Sequence, residues 1–170
     1  MKALIVVDMQ KDFVNGSLGT KEAQAIVSKV QKKIEDARAQ GKQIIFTRDT
    51  HPVNYMETYE GKHLPVEHCI EGSDGWKVDR NLTVDPEKDI VLNKPTFGYL
   101  GWKEYDFEEV EMIGLCTDIC VISNALIIRA MYPDIDITVD ASCCAGVTVE
   151  THQAALATMK MCQIQVTNEA

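Results

Sequence analysis

Val110-Glu111-Met112-Ile113-Gly114-Leu115-Cys116-Thr117-Asp118-Ile119-Cys120-Val121 decides the fold. Val110–Leu115 reads as a strand, and Cys116–Val121 reads as a tight turn and the opening of a helix running to about Met131. That helix is apolar on several faces (Ile119, Val121, Ile122, Ala125, Leu126, Ile128), so it is predicted to be deeply buried. A further apolar run, Ile135–Asp140, comes next. Strand, buried helix and strand at this spacing form a crossover, which joins parallel strands. Outward from there, residues 3–8, Gln43–Arg48, Asp89–Asn93 and Gln163–Thr167 supply four more strands. Ala23, Ile26, Val27, Val30, Ile34 and Ala37 recur at helical spacing, and Gly41 is placed to stop that helix. Another helix is predicted from Val149 to Cys162. The expectation is one α/β domain over residues 1–170, with a mainly parallel six-stranded sheet and helices on both faces.

Composition narrows the function. The chain has 17 basic and 26 acidic residues, a net charge of −9, which repels phosphate backbones and argues against nucleic acid as a partner. The apolar run Ala3–Val7 is too short for a signal peptide or a membrane span, so no membrane association and a cytoplasmic location are expected. Six cysteines in a reducing compartment are read as thiols. Residues 50–88 lack clear periodicity, and irregular stretches of that length are often functional.

Ligands of open parallel sheets bind beyond the carboxyl ends of the strands. Asp8 ends the first strand, Asp49 and His51 follow the second, Lys94 follows the third and Cys116–Cys120 follows the fourth. These groups are therefore predicted to meet at one rim. Cys120, in the first turn of a helix that Thr117 or Asp118 would cap, sits where backbone N–H groups and the helix dipole favour a thiolate nucleophile. Asp8 is suited to carry the proton, and Lys94 to hold charge beside both. A single buried cysteine, strand-end aspartate or lysine is more often structural, so the set matters more than any member. Asp49, His51, Glu60 and His68 offer carboxylates and imidazoles suited to a divalent ion such as zinc, manganese or iron. His63 competes with His68 as the imidazole donor, and His152 is read as structural or exposed.

In order along the chain, Asp8-x-Gln10-x-Asp12-Phe13, Asp49-Thr50-His51, Glu60…His68-Cys69…Gly72-Ser73-Asp74-Gly75, Lys94-Pro95, Gly114–Val121 and Asp140–Gly146 resemble the nicotinamidase/isochorismatase-like cysteine hydrolases, closest to the nicotinamidases. The resemblance implies a three-layer, Rossmann-like, isochorismatase-like fold. It implies a catalytic triad of Asp8, Lys94 and Cys120 with a thioester intermediate. It also implies an oxyanion hole from the N–H groups of Cys116 and Cys120, and a cis peptide between Leu115 and Cys116. Asp49, His51 and His68 would bind the divalent ion, with Glu60 matching a fourth ligand found in some members. Phe13 is the expected substrate-binding aromatic, with Phe97, Tyr99 and Trp102 as alternatives. Many nicotinamidases carry an aromatic three places before the metal histidine, where this chain has Pro65 beside Leu64. The implied reaction is hydrolysis of nicotinamide to nicotinate and ammonia by a homo-oligomer acting on a small-molecule amide. A related carbamoyl or ureido amide, or a non-catalytic binding member, are the alternatives.

Overall fold

The computed structural model describes residues 1–169. Six strands, β1 (Lys2–Val7), β2 (Gln43–Asp49), β3 (Ile90–Lys94), β4 (Glu109–Leu115), β5 (Asp136–Ala145) and β6 (Gln165–Thr167), form one sheet in the order β3-β2-β1-β4-β5-β6. Every pairing is parallel. The α-helices among the described residues are α1 (Lys11–Val14), α2 (Lys21–Ala39), α3 (Tyr59–His63), α4 (Ile122–Met131) and α5 (Val149–Met161). The chain builds outward from β1 to β3, then returns past β1 to start β4. The reversal lies between β1 and β4, the position where doubly wound sheets open a crevice for ligands.

Helix α2 covers one face of the sheet. Thr20 Oγ1 accepts from Ala23 N at 3.0 Å and caps its start. Gly41, at φ +74°, ends it, with Lys42 N donating to Ala37 O at 3.0 Å. Its buried stripe of Ala23, Ile26, Val30, Ile34 and Ala37 packs with Leu4, Val6, Ile44, Phe46 and Ile113. On the other face, Val121, Ala125 and Ile128, with Leu156 and Met159 of α5, pack with Ile5, Val7, Met112 and Val139. Alternate residues of β1 thus enter opposite layers, as the period of a strand requires. Gly114, at φ +119°, lies where β4 passes β1; a Cβ there would come within 2.8 Å of Val7 N, so the site admits only glycine. No helix among the described residues is long and apolar enough to cross a membrane.

The structure departs from expectation in several places. The fifth strand runs on to Ala145, because a register shift between Met112 and Gly114 lets β5 continue pairing through Cys144 and Ala145. The helix expected from Thr117 begins as a π turn, Thr117–Val121, before α4 takes over at Ile122. Neither Thr117 nor Asp118 caps it. Asp118 Oδ2 instead accepts from Val147 N at 3.0 Å and from Thr151 Oγ1, and Thr117 Oγ1 lies 2.7 Å from His152 Nδ1, so both side chains tie the turn to the start of α5. The irregular stretch contains a 3₁₀ turn, Tyr55–Glu57, and α3, and is anchored by bridges Gln10–Val78 and His51–Ile70.

Asp140, inside β5, carries one of the buried charges. It accepts from Ser142 N at 3.0 Å, Ser142 Oγ at 2.7 Å, Asn168 Nδ2 at 3.0 Å and Lys33 Nζ at 2.8 Å. Burial opposes its charge, but the bonds from Lys33, Ser142 and Asn168 outweigh it and hold the carboxyl below its ordinary 3.8. A depressed folded pKa contributes stability above the unfolded pKa, lost as pH falls through the folded one. Asp140→Ala is therefore expected to lower unfolding free energy by about 3 kcal/mol at neutral pH. The deficit should shrink below pH 3.8, as followed by urea titration at several pH values.

Candidate active site

Asp8 follows β1 directly and is fully buried. Its φ of +49° is uncommon for a residue with a Cβ, though aspartate tolerates it better than most. Thr47 of β2 fixes this bend. Asp8 N donates to Thr47 O at 3.2 Å and to Thr47 Oγ1 at 3.1 Å, and that hydroxyl donates to Asp8 Oδ1 at 2.6 Å. Asp8 Oδ2 lies 2.6 Å from Lys94 Nζ, an ion-pair contact, although it accepts no well-directed hydrogen bond.

Lys94 is the last residue of β3, and its side chain is 0% exposed. Its ammonium reaches four groups: Asp8, Thr96 O at 3.1 Å, Cys120 Sγ at 3.4 Å and Asp49 Oδ1 at 3.9 Å. Cys120 lies in the π turn, where Val121 N donates to Cys116 O at 3.0 Å, and is 5% exposed. Single-turn π segments inside helices recur at functional sites. The peptide joining Leu115 and Cys116 is cis.

The protonation pattern stems from burial. Burial raises the Asp8 carboxyl, against the lowering effect of Lys94. Burial would discharge Lys94, but Asp8, Cys120 and Asp49 outweigh it and hold the ammonium charged. Burial and then the Asp8 charge push the Cys120 thiol well above its ordinary value, against Lys94. Burial thus works against the thiolate expected of a helix N-terminus, because desolvation exceeds the effect of a helix end. A carboxylate of raised basicity beside a sulfur, with a cation touching both, is chemically suited to proton transfer.

Four further side chains gather next to it. Ligand atoms of Asp49, His51, Glu60 and His68 all lie within 4.8 Å of one another. Asp49 Oδ2 is 2.9 Å from His51 Nε2 and 3.5 Å from His68 Nε2, and Glu60 Oε2 is 3.3 and 3.7 Å from the same nitrogens. His68 Nδ1 lies 2.8 Å from Val66 O, which aims Nε2 inward. Asp49 Oδ1 is buried without a hydrogen-bond partner. Two carboxylates, two imidazole nitrogens and an orphaned oxygen converging in one space suit a divalent ion. Gln10 locks Asp49 in register: its Oε1 accepts from Asp49 N at 2.8 Å, and its Nε2 donates to Asp49 O at 2.9 Å. His63 is not part of the group; it is exposed and stacked on Tyr59 at 4.1 Å.

Both clusters open into a cavity of about 510 Å³ lined by Phe13, Leu18, Thr20, Ala23, Asp49, Glu60, Leu64, His68, Phe97, Leu115, Cys116, Ile119, Cys120 and Val147, among others. Phe13 stands 5.5 Å from the His68 ring, and Phe97 lies on the same lining. Tyr99 and Trp102 do not: they pack edge-to-face at 5.0 Å, away from the cavity, and Trp102 is wholly buried.

Every residue expected at the site, from Asp8 and Phe13 to Cys116 and Cys120, is thus brought to one rim. Sequence reading missed Thr47, which braces Asp8, and Leu18, Ile119 and Val147, which wall the cavity. It also missed Asn124. This buried amide accepts from Tyr99 N and Trp102 Nε1, and donates to Phe97 O and to Cys120 O at 2.8 Å. A polar amide within a mostly apolar helix was the available signal.

The chain is similar to known proteins over nearly its whole length. Residues 2–170 match the isochorismatase domain family. The nicotinamidase/pyrazinamidase of Mycobacterium tuberculosis is 26% identical, over 98% of each chain. A zinc-bound pyrazinamidase of Pyrococcus horikoshii superposes with a TM-score of 0.82 at 27% identity, over 99% of each chain. The N-carbamoylsarcosine amidase of Thermoplasma acidophilum superposes at 0.81 with 28% identity, over 100% of this chain and 99% of that one.

Proposed function

We propose, from the premise that this chain belongs to the isochorismatase domain family, that it is a cysteine amidohydrolase converting nicotinamide to nicotinate and ammonia. The observation that carries this reading is Lys94 Nζ, 2.6 Å from the Asp8 carboxylate and 3.4 Å from the Cys120 sulfur. Asp8 takes the thiol proton, and the sulfur attacks the amide carbon. The N–H groups of Cys116 and Cys120 are the donors assigned to the oxyanion of the tetrahedral intermediate. Asp8 returns the proton to the departing nitrogen, ammonia leaves, and an acyl thioester remains on Cys120. Asp8 then accepts a proton from water, whose oxygen attacks the thioester, and the thiol is restored as the acid departs. Lys94 stays charged throughout and balances whichever neighbour is anionic.

Asp49, His51, Glu60 and His68 would hold a divalent ion, zinc being the one present in the Pyrococcus relative. When bound, such an ion supplies Lewis acidity and an anchor for a ring nitrogen. His51→Ala and His68→Ala are each expected to lower metal affinity by at least ~100-fold. The check is metal content after dialysis against a graded chelator; full retention by both variants contradicts the site.

The function is tested by measuring ammonia and nicotinate released from nicotinamide by metal-loaded protein. Turnover of a ureido amide with none of nicotinamide overturns the substrate assignment.

A further inference from the structure

Sheet hydrogen bonds do not set the distance between Lys94 and Cys120. The strand that ends at Lys94, β3, and the strand that leads to Cys120, β4, are kept apart by β2 and β1. Residues 95–102 follow Lys94 and lie against α4; a Cβ on Gly98 would come within 2.4 Å of Ile127 Cδ1. Among the described residues, the hydrogen bonds joining residues 95–102 to α4 all run through Asn124. Asn124 is 0% exposed and lies one helical turn beyond Cys120. Its Oδ1 accepts from Tyr99 N at 2.8 Å and Trp102 Nε1 at 3.0 Å, and its Nδ2 donates to Phe97 O at 3.1 Å and Cys120 O at 2.8 Å. Each hydrogen of the amide group is used, and so are both acceptor directions of its oxygen.

The bond to Cys120 O reaches four residues back, so it competes with the helix ladder where the π turn passes into α4. The bond to Phe97 O fixes the backbone of a ring that lines the cavity while 43% exposed, and that packing therefore holds only in part. Thr96, next in the chain, gives its carbonyl to Lys94 Nζ at 3.1 Å. One amide thus ties together the turn of the sulfur, a wall of the cavity and the segment that partners the ammonium. We infer that Asn124 is a positioning residue with two arms: its bond to Cys120 O sets the sulfur against Asp8 and Lys94, and its bond to Phe97 O sets the wall beside the substrate. The inference rests on the amidohydrolase reading for its kinetic consequences, but not for its effect on the sulfur.

Asn124→Ala removes both arms. Asn124→Ser restores one, because a helical serine hydroxyl donates to the carbonyl four residues back, here Cys120 O, and has no second proton for Phe97 O. With zinc-loaded protein and nicotinamide, Asn124→Ala is expected to lower kcat at least about tenfold and raise KM at least about threefold. Asn124→Ser should recover kcat to within about threefold of the parent and keep the raised KM. The rate at which iodoacetamide alkylates Cys120, read by peptide mass mapping, should shift at least about threefold in the alanine variant and return in the serine one. Phe107→Leu truncates the same core layer without touching these bonds, and should lower the urea midpoint while leaving kcat, KM and alkylation within about twofold. Parent-like kcat and alkylation in Asn124→Ala, a serine variant indistinguishable from the alanine one, or equal losses in Phe107→Leu would each overturn the inference. If either small variant does not fold, Asn124→Asp takes its place, since it keeps the shape and the acceptor but turns oxygen toward both carbonyls. A tenfold or greater loss of kcat there supports the inference, and a kcat within about twofold of the parent overturns it. A parent that releases no ammonia from nicotinamide would sink the hydrolytic reading, and the alkylation rates would still decide whether Asn124 sets the sulfur.

Discussion

Replacing Cys120 with alanine is expected to reduce ammonia release by at least about 10⁴-fold while the protein stays folded. The change removes one sulfur from a site that is 5% exposed. The structural cost is a small void, worth about 1 kcal/mol. The Asp8–Lys94 ion pair does not depend on the sulfur, so the rim keeps its charge balance. Denaturation midpoint and ammonia release, measured on one preparation, separate the two effects. Activity within tenfold of the parent would remove Cys120 from the chemistry.

The second large effect concerns the pair itself. Asp8 and Lys94 are both 0% exposed and 2.6 Å apart. Asp8→Asn leaves a buried ammonium without its strongest partner, and Lys94→Met leaves a buried carboxylate without a cation. Each is expected to lose about 3 to 5 kcal/mol of unfolding free energy. The double variant should lose far less than the sum, since neither charge is then stranded. All three should be inactive, because the proton carrier or its counter-charge is gone. A denaturant series run as a double-mutant cycle measures the coupling. Strictly additive losses would mean that the two groups do not share one charge balance in the folded protein.

How much of this was legible in the residues depends on how local its cause is. The strands ending at Asp8, Asp49 and Lys94 were readable because an apolar run followed by a polar residue marks a strand leaving the sheet, and parallel topology sends those ends to one rim. The turn after β4 was readable from Cys116–Cys120, but its π geometry was not. Thr117 and Asp118 resemble helix caps locally; their actual partners, His152, Val147 and Thr151, lie some thirty residues away. The far half of β5 was missed because Ala141–Ala145 are small and weakly patterned, and their pairing depends on a register shift in β4. The cavity walls were least visible. Leu18 is placed by a loop whose shape comes from Leu18 N donating to Asp12 O and Ser17 Oγ donating to Glu67 O, contacts that no periodicity announces.

The buried Lys94 ammonium rides on a marginal strand. β3 spans five residues and hydrogen-bonds within the sheet to β2 alone, whereas Asp8 leaves the central strand β1 and Cys120 comes after β4, flanked on both sides. Margins of a sheet open at lower free energy than its middle. Warming should therefore free this strand before the central ones and withdraw the ammonium, leaving sulfur and carboxylate in place. Heat inactivation would then begin below the global melting point and reverse on cooling, with the sheet margin acting as the weakest link in the enzyme's working range.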